Sequence, residues 1–292
     1  MRGGRPMFLA LTFVIATGIG VEPAHADAII PVRALYLVPA DRAANPEYTA
    51  AIEMALLDLQ SWYADQLGGF TFALTSPSVD VVSTTHPAAY YSTAPNPFPD
   101  TNYDFFFNVL DEATSLGVQV NDPAYRWAIY IDSDPGPGQQ GGAALGALTI
   151  IGAPDLRGLI GQEPQPVSRW IGGLGHELGH TFGLPHPSDC VGPTTSCVYG
   201  PLDYSSDVVG GALMQFGYLT YPNTYLLNEE KQFLLATPYF GPVDTTTATV
   251  SEPGTLGLLL AAALAASNGR RRVVRPTPRR IHVLPDRQPG FL

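Results

Sequence analysis

Polar and apolar positions along the chain alternate in a few short blocks, separated by long stretches rich in glycine, proline and threonine. Residues 33–39 (Arg-Ala-Leu-Tyr-Leu-Val-Pro) form a nearly unbroken apolar run stopped by Pro39, which predicts a buried strand. Pro46 then opens a helical pattern over 47–66, in which Ile52, Leu56, Leu59 and Trp62 share one face. Residues 70–74 read as a short strand, followed by a Pro/Ser/Thr-rich loop to about Asp100. A helix is predicted at 103–116 and a strand at 126–131 (Arg-Trp-Ala-Ile-Tyr-Ile). Beyond a Gly/Pro loop, 147–151 reads as a further strand and as the edge of the sheet. Helices follow at 168–181 and 227–235, the last with Asn228 as its cap. No internal repeat is visible, and no linker precedes Thr245, so the middle of the chain reads as one domain with its own core.

The two ends carry different patterns. Arg2 and Arg5 precede an apolar run over 7–21 and then Ala24-His25-Ala26, the layout of a secretory signal over residues 1–26 with cleavage before Asp27. The other reading, a membrane anchor, suits a longer run than this one, which Gly18 and Gly20 also interrupt. Near the other end, Ser251-Glu252-Pro253 leads into an apolar run over 256–266 and then Arg270-Arg271-Arg272. This stretch, within 249–292, resembles the PEP-CTERM sorting signals of Gram-negative bacteria, which implies handling by signal peptidase and an exosortase during export. Ser251 stands where such signals have a first proline, and residues continue past Arg272. The alternative is a single transmembrane tail anchor, for which about a dozen apolar residues fall short of the ~20 that a bilayer demands. Either way the expected location is extracellular, on the cell surface or in the extracellular matrix, with the envelope engaged only through this C-terminal segment.

Charge sharpens this picture. The whole chain is at −11, but most of its basic residues lie in the two ends. Residues 27–250 hold six Lys/Arg against 23 Asp/Glu, near −17. Such a surface repels nucleic acid and anionic lipid, so neither is an expected partner. A calcium ion at a carboxylate-rich loop is compatible with it. The best such loop is Asp132-Ser133-Asp134-Pro135-Gly136-Pro137-Gly138, for which a solvated turn is the competing reading. The only two cysteines, Cys190 and Cys197, are close together and are expected to form a disulfide in an oxidising compartment, with metal ligation as the alternative.

Chemistry concentrates in residues 176–186, His-Glu-Leu-Gly-His-Thr-Phe-Gly-Leu-Pro-His. On a helix His176 and His180, four apart, project from one face and can share a metal ion. Glu177 follows the first histidine, where its carboxylate can serve as a base without being a ligand. Gly183 lets the chain leave the helix through left-handed backbone space, which would bring His186 back as a third ligand. Three imidazoles with one open position make the zinc site that catalysis requires. With 6 His in 292 residues, three at specified positions arise by chance at roughly 10⁻⁵ per starting point.

This run matches H-E-x-x-H-x-x-G-x-x-H and resembles the zinc signature of the metzincin metallopeptidases. That clan also has a methionine turn under the metal ligands, and Met214 in Gly210-Gly211-Ala212-Leu213-Met214-Gln215 stands at a suitable distance. Some members use a tyrosine two residues later as a further ligand; here that position is Phe216, with Tyr218 beyond it. The resemblance implies an α+β fold: a twisted, mixed sheet of four or five strands with helices above an active-site cleft, then a smaller irregular C-terminal subdomain. The expected boundaries are 27–183 and 184–248 within a peptidase domain at 27–248. It also implies a zinc endopeptidase acting on protein or peptide substrate, with the edge strand, taken as 147–151, pairing with substrate backbone. The pocket setting specificity is expected between the active helix and residues 202–221. A monomer is expected. Two other classes remain open: a surface or biofilm-matrix binding protein that keeps the scaffold without catalysis, and a metal-dependent hydrolase of non-peptide bonds.

Overall fold

The computed structural model describes residues 29–98, 100–192 and 197–243. In chain order the elements are β1 (Val32–Val38), α1 (Pro46–Gln66), β2 (Phe70–Phe72), β3 (Leu74–Ser83), α2 (Ala88–Thr93), α3 (Asp104–Ser115) and β4 (Arg126–Ile131). There follow β5 (Gly142–Leu145), β6 (Leu148–Ile151), α4 (Ala153–Leu159), α5 (Val167–Thr181), α6 (Ser206–Gly211), α7 (Asn228–Leu235) and β7 (Phe240–Pro242). The main sheet has the order β3-β1-β4-β6-β5 and is mixed: β5 runs antiparallel to β6, and the other pairs are parallel. A small antiparallel pair, β2 with β7, completes an α+β fold.

The unbroken apolar runs of β1 and β4 follow from their place in the middle of this sheet, where both faces are covered. On one face Ala34, Tyr36, Val38, Ala128 and Tyr130 meet Ile52, Leu56 and Leu59 of α1 and Leu174 and Leu178 of α5. On the other, Leu35, Leu37, Ile129 and Ile131 meet Phe105, Phe106 and Val109 of α3. Each fully buried side chain of this size contributes about 1.5–3 kcal/mol. Helix α1 starts where the pattern placed it, because the Asn45 side chain accepts the Glu47 N–H at 3.0 Å and Pro46 supplies the first helical residue.

The structure corrects three readings and adds one helix. The segment after Phe72 is not a loop to Asp100, since it contains β3 and α2. Strand β3 is an outer strand that pairs only with β1, and a strand with one free edge tolerates Pro77 and polar positions. The sheet's other edge is β5, not 147–151, which forms β6 inside it. The sequence of β5, Gly-Ala-Ala-Leu, has no strand preference of its own and takes its state from pairing with β6. Helix α4 was not foreseen. Finally, Asn228 is the first residue of α7 rather than its cap, which is Leu227.

At that cap the Glu230 carboxylate accepts the Leu227 N–H at 2.7 Å. Glu230 is fully buried, and among the described residues its other oxygen has no hydrogen-bond partner. Burial pushes its pKa up to about 7, against the opposing pull of the Leu227 N–H. A carboxyl with a raised folded-state pKa favours the folded protein below its unfolded pKa, and that contribution is lost as pH rises through the folded value. Stability is therefore expected to fall by roughly 3 kcal/mol from this group between about pH 4.5 and 7. In Glu230→Gln the amide oxygen still accepts the Leu227 N–H, and this part of the pH dependence should vanish. Denaturant titrations of both proteins at pH 5 and 8 would check it, equal slopes with pH counting against the assignment.

The described residues all belong to one contact unit that ends at Val243. Among them no helix is long and apolar enough to cross a membrane. The export signal read at 1–26 and the sorting signal read at 249–292 lie outside the described residues.

Candidate metal centre

Helix α5 carries His176, Glu177 and His180, and its glycines decide how closely its neighbours approach. A Cβ at Gly175 would lie 2.7 Å from Leu59 of α1, and one at Gly179 would lie 2.2 Å from the Met214 sulfur. Each glycine weakens the helix by about 1 kcal/mol relative to alanine, a cost offset by the packing it allows. Met214 is completely buried in the core that holds α1 and α5, with its sulfur against Gly179, one residue before His180.

The helix ends as its sequence requires. Gly183 has φ of +97°, a conformation that L side chains rarely adopt. The Gly183 N–H bonds to the His180 carbonyl and the Leu184 N–H to that of Gly179, which is a Schellman termination. The turn directs the chain back, so that His186 Nε2 comes to 3.3 Å from His176 Nε2. His180 Nε2 lies 3.2 Å from the same atom. The ring of Tyr218 stacks edge-on against His176, with centroids 5.1 Å apart, whereas Phe216 is 58% exposed. The methionine-plus-two position thus points to solvent.

Tautomers follow from the partners. His176 Nδ1 lies 2.9 Å from the Leu213 carbonyl, and His180 Nδ1 lies 2.7 Å from the Leu184 carbonyl. A carbonyl only accepts, so both Nδ1 atoms carry the proton and both Nε2 atoms present lone pairs. Burial, the larger cause, together with the neighbouring imidazoles lowers the His176 pKa to about 4. Burial lowers that of His180 as well. The His176 and His180 lone pairs, 3.2 Å apart, repel one another unless a cation lies between them. Zinc with nitrogens at 2.0–2.1 Å in a tetrahedron spaces them by about 3.3 Å. The three histidines could therefore hold a metal ion, and among the described residues they form the one group of three or more His, Cys, Asp or Glu so placed. The Leu213 and Leu184 carbonyls, which orient two of the rings, had no signal in the sequence.

Cys190 and Cys197 form a disulfide. Cys190 packs with Leu202, Ala212 and Leu227, which ties the segment after His186 to the end of α6 and the start of α7. Asp132 and Asp134, the carboxylates considered for calcium, each face an arginine: Arg42 at 2.5 Å and Arg157 at 2.7 Å. His86 is removed from the site and bonds to Glu112 at 2.8 Å.

Beside the histidines lies a cavity of about 320 Å³, lined by His176, Glu177, Asp155, Arg169, Gly173 and Tyr218 among others. Its wall is formed by α5, by α4 and the β5 end of the sheet, and, from residues 202–221, by Tyr218. Burial pushes the Glu177 carboxyl up to about 7, and the Asp155 carboxylate adds to the rise. A carboxyl in that range can both accept and return a proton near neutral pH.

Comparison with known proteins finds similarity only among solved structures. Neither a protein-family model nor a curated protein matches the chain. Wild-type OgpA from Akkermansia muciniphila is 18% identical, with a TM-score of 0.49 over 73% of this chain and 62% of its own. A catalytically inactive OgpA in complex with an O-glycopeptide (glycodrosocin) substrate gives 19%, 0.49, 75% and 63%. Archaemetzincin from Methanopyrus kandleri is 20% identical, with a TM-score of 0.35 over 73% of this chain and 96% of its own. The chain thus spans less than two thirds of these two OgpA chains. At these identities and overlaps, likeness does not carry activity or substrate from one chain to another.

Proposed function

We propose that the protein is an exported zinc-dependent endopeptidase. The observation that carries this reading is the convergence of His176, His180 and His186 through Nε2 with Glu177 alongside, in the wall of an open cavity. His176, His180 and His186 would hold the ion. A bound zinc supplies a Lewis acid that polarises a carbonyl and makes water more acidic. Glu177 takes a proton from the attacking water and returns it to the leaving amine, acting first as base and then as acid. The Leu213 and Leu184 carbonyls keep two imidazoles in the ligating tautomer, and Met214 fixes the height of the helix above the turn. The residue pattern at 1–26 supports export, and that at 249–292 supports association with the cell envelope.

The test is metal content together with proteolysis. The full chain, treated with a chelator and then titrated with zinc, is expected to bind one ion per chain and to regain hydrolysis of unfolded casein in step with it. His180→Ala is expected to lose both. One zinc per chain with no cleavage of any unfolded protein would favour the non-catalytic scaffold. Cleavage that ignores both chelator and zinc would remove the metal from the reaction.

A further inference from the structure

The cavity beside the histidines holds two further charged groups that transfer no proton in the proposed reaction, Asp155 acting on it only through the pKa of Glu177. Asp155 is in the first turn of α4, and Arg169 is in the first turn of α5. Both approach the bare face of Gly173: the point where a Cβ would sit is 3.0 Å from Arg169 Nη1 and 3.7 Å from Asp155 Oδ1. The two groups are therefore no more than about 6.7 Å apart, the two distances laid end to end. They form no ion pair either, which would bring them within 4 Å. Among the described residues no hydrogen bond or ion pair reaches the half-buried Asp155 carboxyl, whose pKa burial pushes up to about 7 against the pull of the Arg169 charge. Among the described residues Arg169 forms no ion pair with a carboxylate, and it lies against the rings of Trp170 and Tyr218, at 4.7 and 5.1 Å.

A donor and an acceptor held too far apart to meet, across a gap kept open by a glycine, form a receptor for one intervening polar group. That group must accept from Arg169 and donate to Asp155. A carboxamide does both at once, through its oxygen and its NH₂. A lysine or arginine side chain would meet the Arg169 charge and leave that guanidinium unpaired. Above about pH 7, where Asp155 and Glu177 have both lost their protons, an aspartate or glutamate would meet the two carboxylates together. An aliphatic side chain would leave both charged groups desolvated without partners, the kind of mismatch by which a polar site rejects apolar analogues most strongly. The volume of about 320 Å³ admits a long side chain.

We infer that Asp155 and Arg169 are specificity-determining residues that select glutamine or asparagine at a position next to the cleaved bond. This inference rests on the peptidase reading. The experiment separates the two. Denatured protein mixtures are digested with the full-length zinc-loaded chain, and residues flanking the cleaved bonds are counted, with bulk casein cleavage as the control for activity. Glutamine plus asparagine is expected to exceed leucine, lysine and glutamate at one flanking position by at least about tenfold, the ratio that one net hydrogen bond supplies. The Asp155→Leu/Arg169→Leu double variant is expected to shift that position towards apolar residues, whatever its total rate. In a second measurement without turnover, calorimetry on Glu177→Gln should show the glutamine peptide binding more tightly than its leucine counterpart. That difference should vanish when the two leucine substitutions are added. Casein cleavage with an apolar or charged preference, or a profile unmoved in the double variant, overturns the inference and leaves the peptidase reading intact. No cleavage of any protein by the zinc-loaded wild type overturns both.

Discussion

Glu177→Gln is expected to lower kcat/KM on unfolded protein by about 10²–10⁴ while zinc remains at one per chain. Glutamine keeps the shape and the hydrogen-bonding oxygen of the side chain but cannot carry a proton between water and the leaving amine. The size of the loss follows from how the carboxyl is prepared. Its burial raises the pKa to about 7, and the Asp155 carboxylate adds to the rise, so the group is poised between its two states near neutrality. The ionised form is the base, so wild-type kcat/KM should fall as pH drops through the folded pKa. A cation alongside favours the charged form, which places that acid limb no higher than about pH 7. The residual rate of the variant should lack this limb. Thermal unfolding should not weaken at neutral pH, because the substitution removes a buried charge and no ion pair. A variant that loses zinc together with activity would show instead that Glu177 supports the ligand cage.

Gly172→Ala should reduce both stability and turnover, although alanine is the better helix former. The helix would gain about 1 kcal/mol from the exchange. Against this, the new Cβ would lie 2.4 Å from the Tyr218 carbonyl oxygen and 2.6 Å from the Tyr221 Cβ. Neither atom can rotate away. One is backbone in the 3-10 turn at Gly217–Thr220, and the other belongs to a side chain that is 4% exposed and bonds through its hydroxyl to Asp58. The turn must therefore lift off α5 as a whole, at the 1–3 kcal/mol typical of overpacking or somewhat more. A net loss of about 1–2 kcal/mol would lower Tm by several degrees in a domain of this size. Because Tyr218 forms part of the cavity wall against His176, a displacement of about 1 Å there is expected to cost up to 10²-fold in kcat/KM. Gly210→Ala is the matched control: it lies in α6 with open space around it and should leave both quantities nearly unchanged. Equal Tm values for the two variants would refute the packing argument.

What could be read in advance divides along a physical line. Strands β1 and β4 and helices α1 and α5 were legible because each carries its own pattern, an apolar run or an apolar stripe, over enough residues to stand out. Strand β5 was not, since Gly-Ala-Ala-Leu becomes a strand only because β6 offers it a partner. Strand β3 was hidden by Pro77 and by polar positions that an outer strand tolerates. Helix α4 follows directly after β6, and nothing in its seven residues separates them from a loop.

The site divides in the same way. Two histidines one helical turn apart, a carboxylate beside the first, and a glycine that ends the helix are local relations, set by helix geometry and by the backbone freedom of a single residue. The sequence by itself therefore determined the three imidazoles, the adjacent Glu177 and the return of His186, as well as the short disulfide loop that follows. Only the tertiary structure decided which tautomer the imidazoles adopt, because the Leu213 and Leu184 carbonyls are backbone groups that any residue would supply. It also decided that Tyr218 rather than Phe216 stands over His176, and that Asp155 and Arg169, fourteen positions apart, face each other across Gly173. Contacts within one or two helical turns are written in residue spacing. Contacts between elements depend on how the elements pack, and no spacing records that.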